Sequence, residues 1–309
     1  LWAFERMKRT KNKAEVLRLI RDYNLPREAV PTEWLNDVDV WAALLERMPM
    51  TALIRNLAKM TAVGLLEPLS DATKAVVAQL ADAERLRRSR VHPLAVLNAL
   101  RVYQQGHGDK GSLTWTPVAK VVDALDDAFY AAFGNVEPTG KRVMIALDVS
   151  ASMSAPIAGT GLSCCEASSA LALVTARVEA DCGVYRFNTG LEPVDISPRM
   201  RLDGVLKQTR SINGGGTDCS LPMVYAAQHK IPVDAFCVYT DSETWAGKVH
   251  PQEALRAFRD KLAKPDAAEV VVGMEATEFT IADPKDPRTL DVVGFDLQTP
   301  AAIAEFVRG

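Results

Sequence analysis

The sequence predicts two domains of different class, a helical region over residues 1–134 and a doubly wound α/β domain over residues 135–309. Three observations carry that reading. The first 134 residues repeat apolar side chains at helical spacing with almost no strand signal. After the turn-rich stretch Phe133-Gly-Asn-Val-Glu-Pro-Thr-Gly140, short apolar runs alternate with amphipathic segments. Several of those runs, such as Ala235-Phe-Cys-Val-Tyr and Glu269-Val-Val-Val-Gly, read as continuously apolar, as parallel strands covered on both faces do.

In the first region the periodicity predicts helices near 2–10, 13–23, 36–48, 50–62, 71–88, 93–105 and 116–133. Leu53, Ile54, Leu57 and Met60 make one amphipathic stripe. Ser70-Asp71 starts one helix with a side-chain cap, and His92-Pro93 starts another with proline at its first position. Short helices joined by short turns suggest stacked antiparallel pairs, an α-solenoid, with an orthogonal bundle as the alternative. In the second region strands are expected at 142–148, 182–188, 191–197, 235–241, 269–275 and 290–296. Helices are expected at 163–180, 201–211, 219–229, 251–263 and 299–308. Thr189-Gly190 joins two of the strands as a hairpin, which supplies an antiparallel edge.

Composition narrows the class. The chain is 48% hydrophobic and 24% charged with a net charge of −3, ordinary for a globular protein and unlike a uniformly basic nucleic-acid binder. Residues 1–140 carry 19 Lys and Arg against 17 Asp and Glu, and the remainder 17 against 22, so the basic excess lies in the helical half. Two clusters stand out there: Arg6, Lys8, Arg9, Lys11 and Lys13, then Arg85, Arg87, Arg88 and Arg90. Charge alone makes them RNA-contact candidates, and solvated helix faces look the same in a sequence. Cys164, Cys165, Cys182, Cys219 and Cys237 are odd in number and form no CxxC, which fits a reducing, cytoplasmic compartment. No eighteen-residue apolar run predicts a membrane span, and the start at Leu1 reads as part of a longer protein.

The chemistry concentrates in three loops. The apolar run Val143–Leu147 ends in Asp148-Val-Ser150-Ala-Ser152, at the strand end where open α/β sheets bind ligands. Gly214-Gly-Gly-Thr217-Asp218 can approach a neighbouring loop closely, and Tyr239-Thr240-Asp241-Ser242-Glu243 ends a later apolar strand. Acids and hydroxyls are hard oxygen ligands, suited to Mg²⁺, Mn²⁺ or Ca²⁺. A haloacid-dehalogenase phosphatase would need an acid where Ser150 stands, and a dinucleotide fold would need its glycines after the first strand. His92, His107, His229 and His250 flank no nucleophile in sequence, so no hydrolytic triad is read and the chain is expected not to be an enzyme. Ser154 and Asp218 flank the loops as orienting residues at most.

The D-x-S-x-S loop, the threonine behind the glycines and the later aspartate resemble the metal-ion-dependent adhesion site of von Willebrand factor type A domains, which have a Rossmann-like fold. The resemblance implies that Ser150, Ser152 and Thr217 bind Mg²⁺ through their hydroxyls, with Asp148 and Asp241 acting through water. The strings Val91-His-Pro93, Gln105-Gly-His-Gly108, Glu137-Pro-Thr-Gly-Lys141, Gly215-Gly-Thr-Asp-Cys-Ser-Leu-Pro222 and Phe279-Thr-Ile-Ala-Asp283 resemble more narrowly the sixty-kilodalton Ro autoantigen family. Met50-Thr-Ala-Leu-Ile-Arg-Asn-Leu57 and Lys59-Met-Thr-Ala62 add to it. That resemblance implies a HEAT-like helical ring, the TROVE module, of which residues 1–134 are the C-terminal part, closed by an A domain at 135–309. It further implies binding of small noncoding Y RNA and of misfolded RNA 3′ ends in RNA quality control. Implied partners are an exoribonuclease or other protein at the metal site and a chain carrying the first half of the ring. The competing expectation is a metal-dependent module that captures an acidic group of a protein partner, without RNA.

Overall fold

The computed structural model of the chain describes residues 1–108, 111–210, 216–241, 246–274, 281–294 and 299–309. The chain separates into two compact units, Leu1–Asn135 and Val136–Gly309.

The first unit is helical: α1 (Trp2–Arg9), α2 (Lys13–Tyr23), α3 (Val38–Leu45), α4 (Met50–Ala62), α5 (Asp71–Leu80), α6 (Ala83–Ser89), α7 (Pro93–Gln105) and α8 (Ala119–Ala131). Capping sets most of the starts. Asn12, Asp37, Ser70 and Asp82 each accept backbone N–H groups of the first turn, and His92 Nδ1 accepts from Leu94 N ahead of Pro93. The expected helix 71–88 is two helices, because Asp82 takes Arg85 N at 2.9 Å and opens a new one. The helix expected at 36–48 begins only at Val38, with single 3₁₀ turns at Arg27–Ala29 and Thr32–Asn36 before it. The last helix starts at Ala119 rather than 116. Val118 N is drawn instead to the buried Tyr103 hydroxyl at 3.2 Å, which also meets Thr61 Oγ1 at 2.9 Å.

Met7, Val16, Leu19, Trp41, Leu53, Leu57, Met60, Val76, Leu80, Leu97 and Phe129 are buried to 1% exposure or less and form the interior of this unit. Each such side chain contributes about 1.5–3 kcal/mol on burial. Trp41 and Trp115 keep their indole N–H groups bonded to Leu35 O and Tyr103 O. Asn135 closes the unit by donating to Leu86 O and Val91 O.

The second unit runs β1 (Val143–Asp148), α9 (Cys164–Val178), β2 (Cys182–Phe187), β3 (Leu191–Pro193), α10 (Leu202–Thr209), α11 (Leu221–His229), β4 (Ala235–Thr240), α12 (Pro251–Leu262), β5 (Ala268–Gly273), β6 (Thr289–Val293) and α13 (Thr299–Arg308). The sheet order is β3-β2-β1-β4-β5-β6, parallel throughout except for the hairpin β2–β3. Every residue of β1, β4 and β5 is buried, as covered parallel strands require. One face packs Met144 and Phe236 against Met223, Leu255 and Phe258 of α11 and α12. Phe236 meets Phe258 edge-on at 4.9 Å. α9 and α10 form the other helical pair. The edge strand expected at 191–197 stops at Pro193, with one further backbone bond from Val194 N to Val184 O at 2.8 Å. Residues 295 and 296 of the expected last strand, and 275 of the one before, lie outside the described residues.

Chain order reverses about β1, whose neighbours are β2 on one side and β4 on the other. The C-terminal ends of β1 and β4 therefore flank the crevice in which open α/β sheets bind ligands.

Candidate metal centre

β1 delivers Asp148 to that crevice. The parallel register places Ala146 beside Val238, so the next residues on the same face, Asp148 and Thr240, come side by side. Asp148 is 2% exposed and its carboxylate is enclosed by donors. Oδ1 accepts Ser150 N at 2.8 Å, while Oδ2 accepts Thr240 Oγ1 at 2.8 Å and Thr217 Oγ1 at 3.1 Å. Burial pushes the Asp148 carboxyl above the usual carboxylate range, and these hydrogen bonds oppose the push. Ser150 Oγ and Ser152 Oγ lie 3.0 Å apart. The structure thus gathers Asp148, Ser150, Ser152 and Thr217 from two loops far apart in the chain. Asp241 is buried directly after β4.

Two close approaches hold the second loop. Ala246 N donates to Thr217 O at 2.7 Å, and a Cβ on Gly216 would fall 2.6 Å from Ala246 Cβ. Gly247 is equally tight, since a Cβ there would meet the Asp218 carboxylate at 2.6 Å. Asp218 itself accepts Ser220 N and Ser220 Oγ, which orders the entry to α11. Ser154 donates to Ala151 O within its own turn. Both bond within their own turns, Ser154 to backbone and Asp218 to the backbone and hydroxyl of Ser220. Gly214, Gly215, Ser242 and Glu243 lie outside the described residues.

The donor set suits a hard cation of modest charge demand. Among the described residues no group of three or more His, Cys, Asp or Glu side chains could hold a metal, so any ion here depends on hydroxyls and water. Three neutral hydroxyls within reach of one buried carboxylate fit Mg²⁺, which keeps waters of its own. Thr240 lies in the third loop the sequence marks, but the sequence assigns it no role at the site. Its signal was a polar residue at the inward position of an apolar strand, in phase with Phe236 and Val238.

The two basic clusters are largely paired. In the first, Arg6 bonds Glu15 at 2.6 Å, Lys8 reaches Glu5, Lys11 reaches Glu33 and Lys13 sits between Asp37 and Asp39. Arg9 has no ion pair among the described residues. In the second, Arg87 and Arg88 share Glu84, and Arg90 ends α6 with a left-handed backbone. Arg85 turns inward and donates to Met48 O. Arg6, Lys8, Arg9, Lys11, Arg87, Arg88 and Arg90 are exposed, while Lys13 and Arg85 are partly buried. His92 is a cap, and burial lowers its pKa to about 4. His250 caps α12 through Gln252 N.

A parallel sheet with an antiparallel hairpin edge, together with a hydroxyl-and-acid cluster at the switch point, defines a von Willebrand factor A-type domain behind a helical unit. Residues 142–307 match the family model described as the Ro60 vWA domain, and residues 21–102 match the TROVE domain. The chain belongs to the Ro60 family. It is 42% identical over 308 residues to the RNA-binding protein RO60 of Caenorhabditis elegans, covering 99% of this chain and 48% of that protein. It is 45% identical over 294 residues to the RNA-binding protein RO60 of Deinococcus radiodurans, covering 94% and 55%. The crystal structure of the Deinococcus radiodurans RO (RSR) protein superposes with a TM-score of 0.93 at 42% identity, over 100% of this chain and 62% of that one. The chain spans about half the length of the curated relatives it matches.

Proposed function

We propose that this chain is part of an RNA-binding component of a small ribonucleoprotein. The observation that carries the reading is its similarity, across nearly its whole length, to two proteins named RNA-binding. The RNAs proposed are Y-type small noncoding RNA and the 3′ ends of misfolded RNA, in quality control or processing. Binding rests on phosphate contacts from the helical unit, where Arg9, Arg87, Arg88 and Arg90 are the contacts most readily offered. It acts by binding rather than by catalysis. Five free thiols support a reducing compartment, and we place the protein in the cytoplasm. Among the described residues no helix is long and apolar enough to cross a membrane.

The A-type domain adds a cation site in this proposal. Ser150, Ser152 and Thr217 hold Mg²⁺, with Mn²⁺ or Ca²⁺ as the alternatives, while Asp148 and Asp241 orient its waters. With neutral direct ligands the ion keeps charge enough to accept an acidic group from a protein partner, such as an exoribonuclease. The hydroxyl cluster favours this second activity independently of RNA. A chain carrying the preceding helices is the proposed partner of the helical unit.

A gel-shift series with a small structured RNA, at rising salt, tests the first part. The expected result is affinity that falls with a slope of about −0.7 to −0.9 per neutralised phosphate. Binding that ignores salt, or none at low salt, overturns it. Magnesium-dependent thermal stabilisation that disappears in Ser150→Ala tests the second part.

A further inference from the structure

β5 carries a second buried acid that the centre on β1 does not use. Glu269 is completely buried, and neither carboxyl oxygen has a hydrogen-bond partner among the described residues. It lies on the α11–α12 face of the sheet, in register with Phe236 of β4 and Thr289 of β6. The charged groups that act on it come from the neighbouring elements: Asp291 on β6, Asp286 ahead of β6 and Arg259 on α12. Cys219, ahead of α11, is a buried thiol whose pKa is raised by burial. Arg259 does not satisfy the acid, because its guanidinium donates to Ala267 O and pairs with Asp286.

Burial pushes the Glu269 carboxyl up to about 8, Asp291 and Asp286 adding to the rise while Arg259 opposes it. An ionised carboxylate there has no donor among the described residues to replace its hydration. It must keep its proton or the structure around it must open.

The element beside Glu269 on the outer side is the sheet edge. Ile281 and Ala282 are buried, Ile281 in the apolar core, and β6 is laddered to β5. Around them the contacts are polar: Gln252 to Ile281 O at 3.0 Å, Arg256 to Asp283 at 2.9 Å, Arg259 to Asp286, and Ala282 N to both Asp291 oxygens at 3.1 Å. Glu269 N itself bonds Arg288 O at 2.9 Å. β6 is only half-buried, unlike β1, β4 and β5.

We propose that Glu269 is a proton-dependent latch: the edge formed by residues 281–288 and β6 stays closed against β5 while its carboxyl is protonated, and loosens when the proton leaves. The site needs no metal and no RNA, so it stands apart from the function proposed above.

Hydrogen exchange of the 309-residue chain at about pH 6.5 and about pH 9, corrected for hydroxide catalysis, tests this. In the wild type, protection over 281–294 is expected to fall about tenfold or more at the higher pH, with β1 and β4 unchanged. In Glu269→Gln it is expected to change less than about twofold. Equal protection at both pH values in the wild type, or an equal fall in the variant, overturns the latch. If the variant does not fold, carboxyl ¹³C titration of the wild type decides. Glu269 still protonated at neutral pH supports the proposal, and Glu269 ionised there overturns it.

Discussion

Thr240 Oγ1 donates to Asp148 Oδ2 at 2.8 Å, in a site where both residues are shielded from solvent. Asp148 thus has a partner from the adjacent strand that fixes its carboxylate plane before any cation arrives. Removing one such bond to a buried carboxylate typically costs about 1.5–3 kcal/mol. Thr240→Val is therefore expected to weaken Mg²⁺ binding about tenfold, and Thr240→Ser to stay within about twofold of wild type. Isothermal titration of Mg²⁺ measures both, and equal affinity in the two variants would remove Thr240 from the site.

Gly216 offers a steric test of the same centre. A Cβ there lands 2.6 Å from Ala246 Cβ, and Ala246 N holds Thr217 O at 2.7 Å. Gly216→Ala must push the two loops apart and carry Thr217 away from Asp148. The expected outcome is a drop of about 1–3 kcal/mol in stability, typical of overpacking. Magnesium-dependent stabilisation should weaken in parallel. Differential scanning fluorimetry with and without Mg²⁺ reads both effects. Ala246→Gly in the Gly216→Ala background should restore them, and an absence of rescue would count against the close approach.

The arginines of α6 should separate by role. Arg87 and Arg88 are exposed and share Glu84, so replacing both should cost little stability, as surface ion pairs do. If they contact RNA phosphates, the double alanine variant lowers affinity and reduces the salt slope by about 0.7–0.9 for each phosphate it no longer neutralises. Arg85 donates to Met48 O and is part of the packing between helices. Arg85→Ala should lower the unfolding midpoint by an amount equivalent to about 1 kcal/mol and leave the salt slope unchanged. A salt slope that moves with Arg85 alone would reverse these assignments.

The strands and most helices were legible because their cues are local. Val143–Leu147 is apolar without a break, Asn12, Ser70 and His92 cap helices within two or three residues, and Thr189-Gly190 turns a hairpin. The Asp148, Ser150 and Ser152 spacing was equally local. The bond of Thr240 to Asp148 was not legible because the two lie 92 residues apart and only strand register brings them together. Glu269 was absorbed into an apolar run by its valine neighbours, yet it is the most deeply buried acid among the described residues. The split of 71–88 turned on Asp82, which looks like an exposed helix residue until its carboxylate is seen to accept Arg85 N. Part of the pairing of the basic clusters was hidden for the same reason as the Thr240 bond, since Lys11 meets Glu33 and Lys13 meets Asp37 and Asp39 across turns. Lys8 with Glu5, and Arg87 and Arg88 with Glu84, are by contrast three or four residues apart.

His92 predicts the acid limit of the helical unit. Burial lowers its folded pKa to about 4, against about 6.5 in an unfolded chain. Between those values the unfolded chain binds a proton that the folded chain refuses. Its contribution to stability is therefore fully present above about pH 6.5 and is lost as pH falls toward 4, levelling out below. The ceiling is about 1.4 kcal/mol per pH unit, and partial exposure of His92 reduces the total to something on the order of 2 kcal/mol. His92→Asn keeps an acceptor for Leu94 N but carries no titrating ring. Urea unfolding followed by tryptophan fluorescence at pH 7 and at about pH 4.5 should show the variant losing less stability than the wild type over that interval. Identical losses would mean that His92 is protonated in the folded state at little cost.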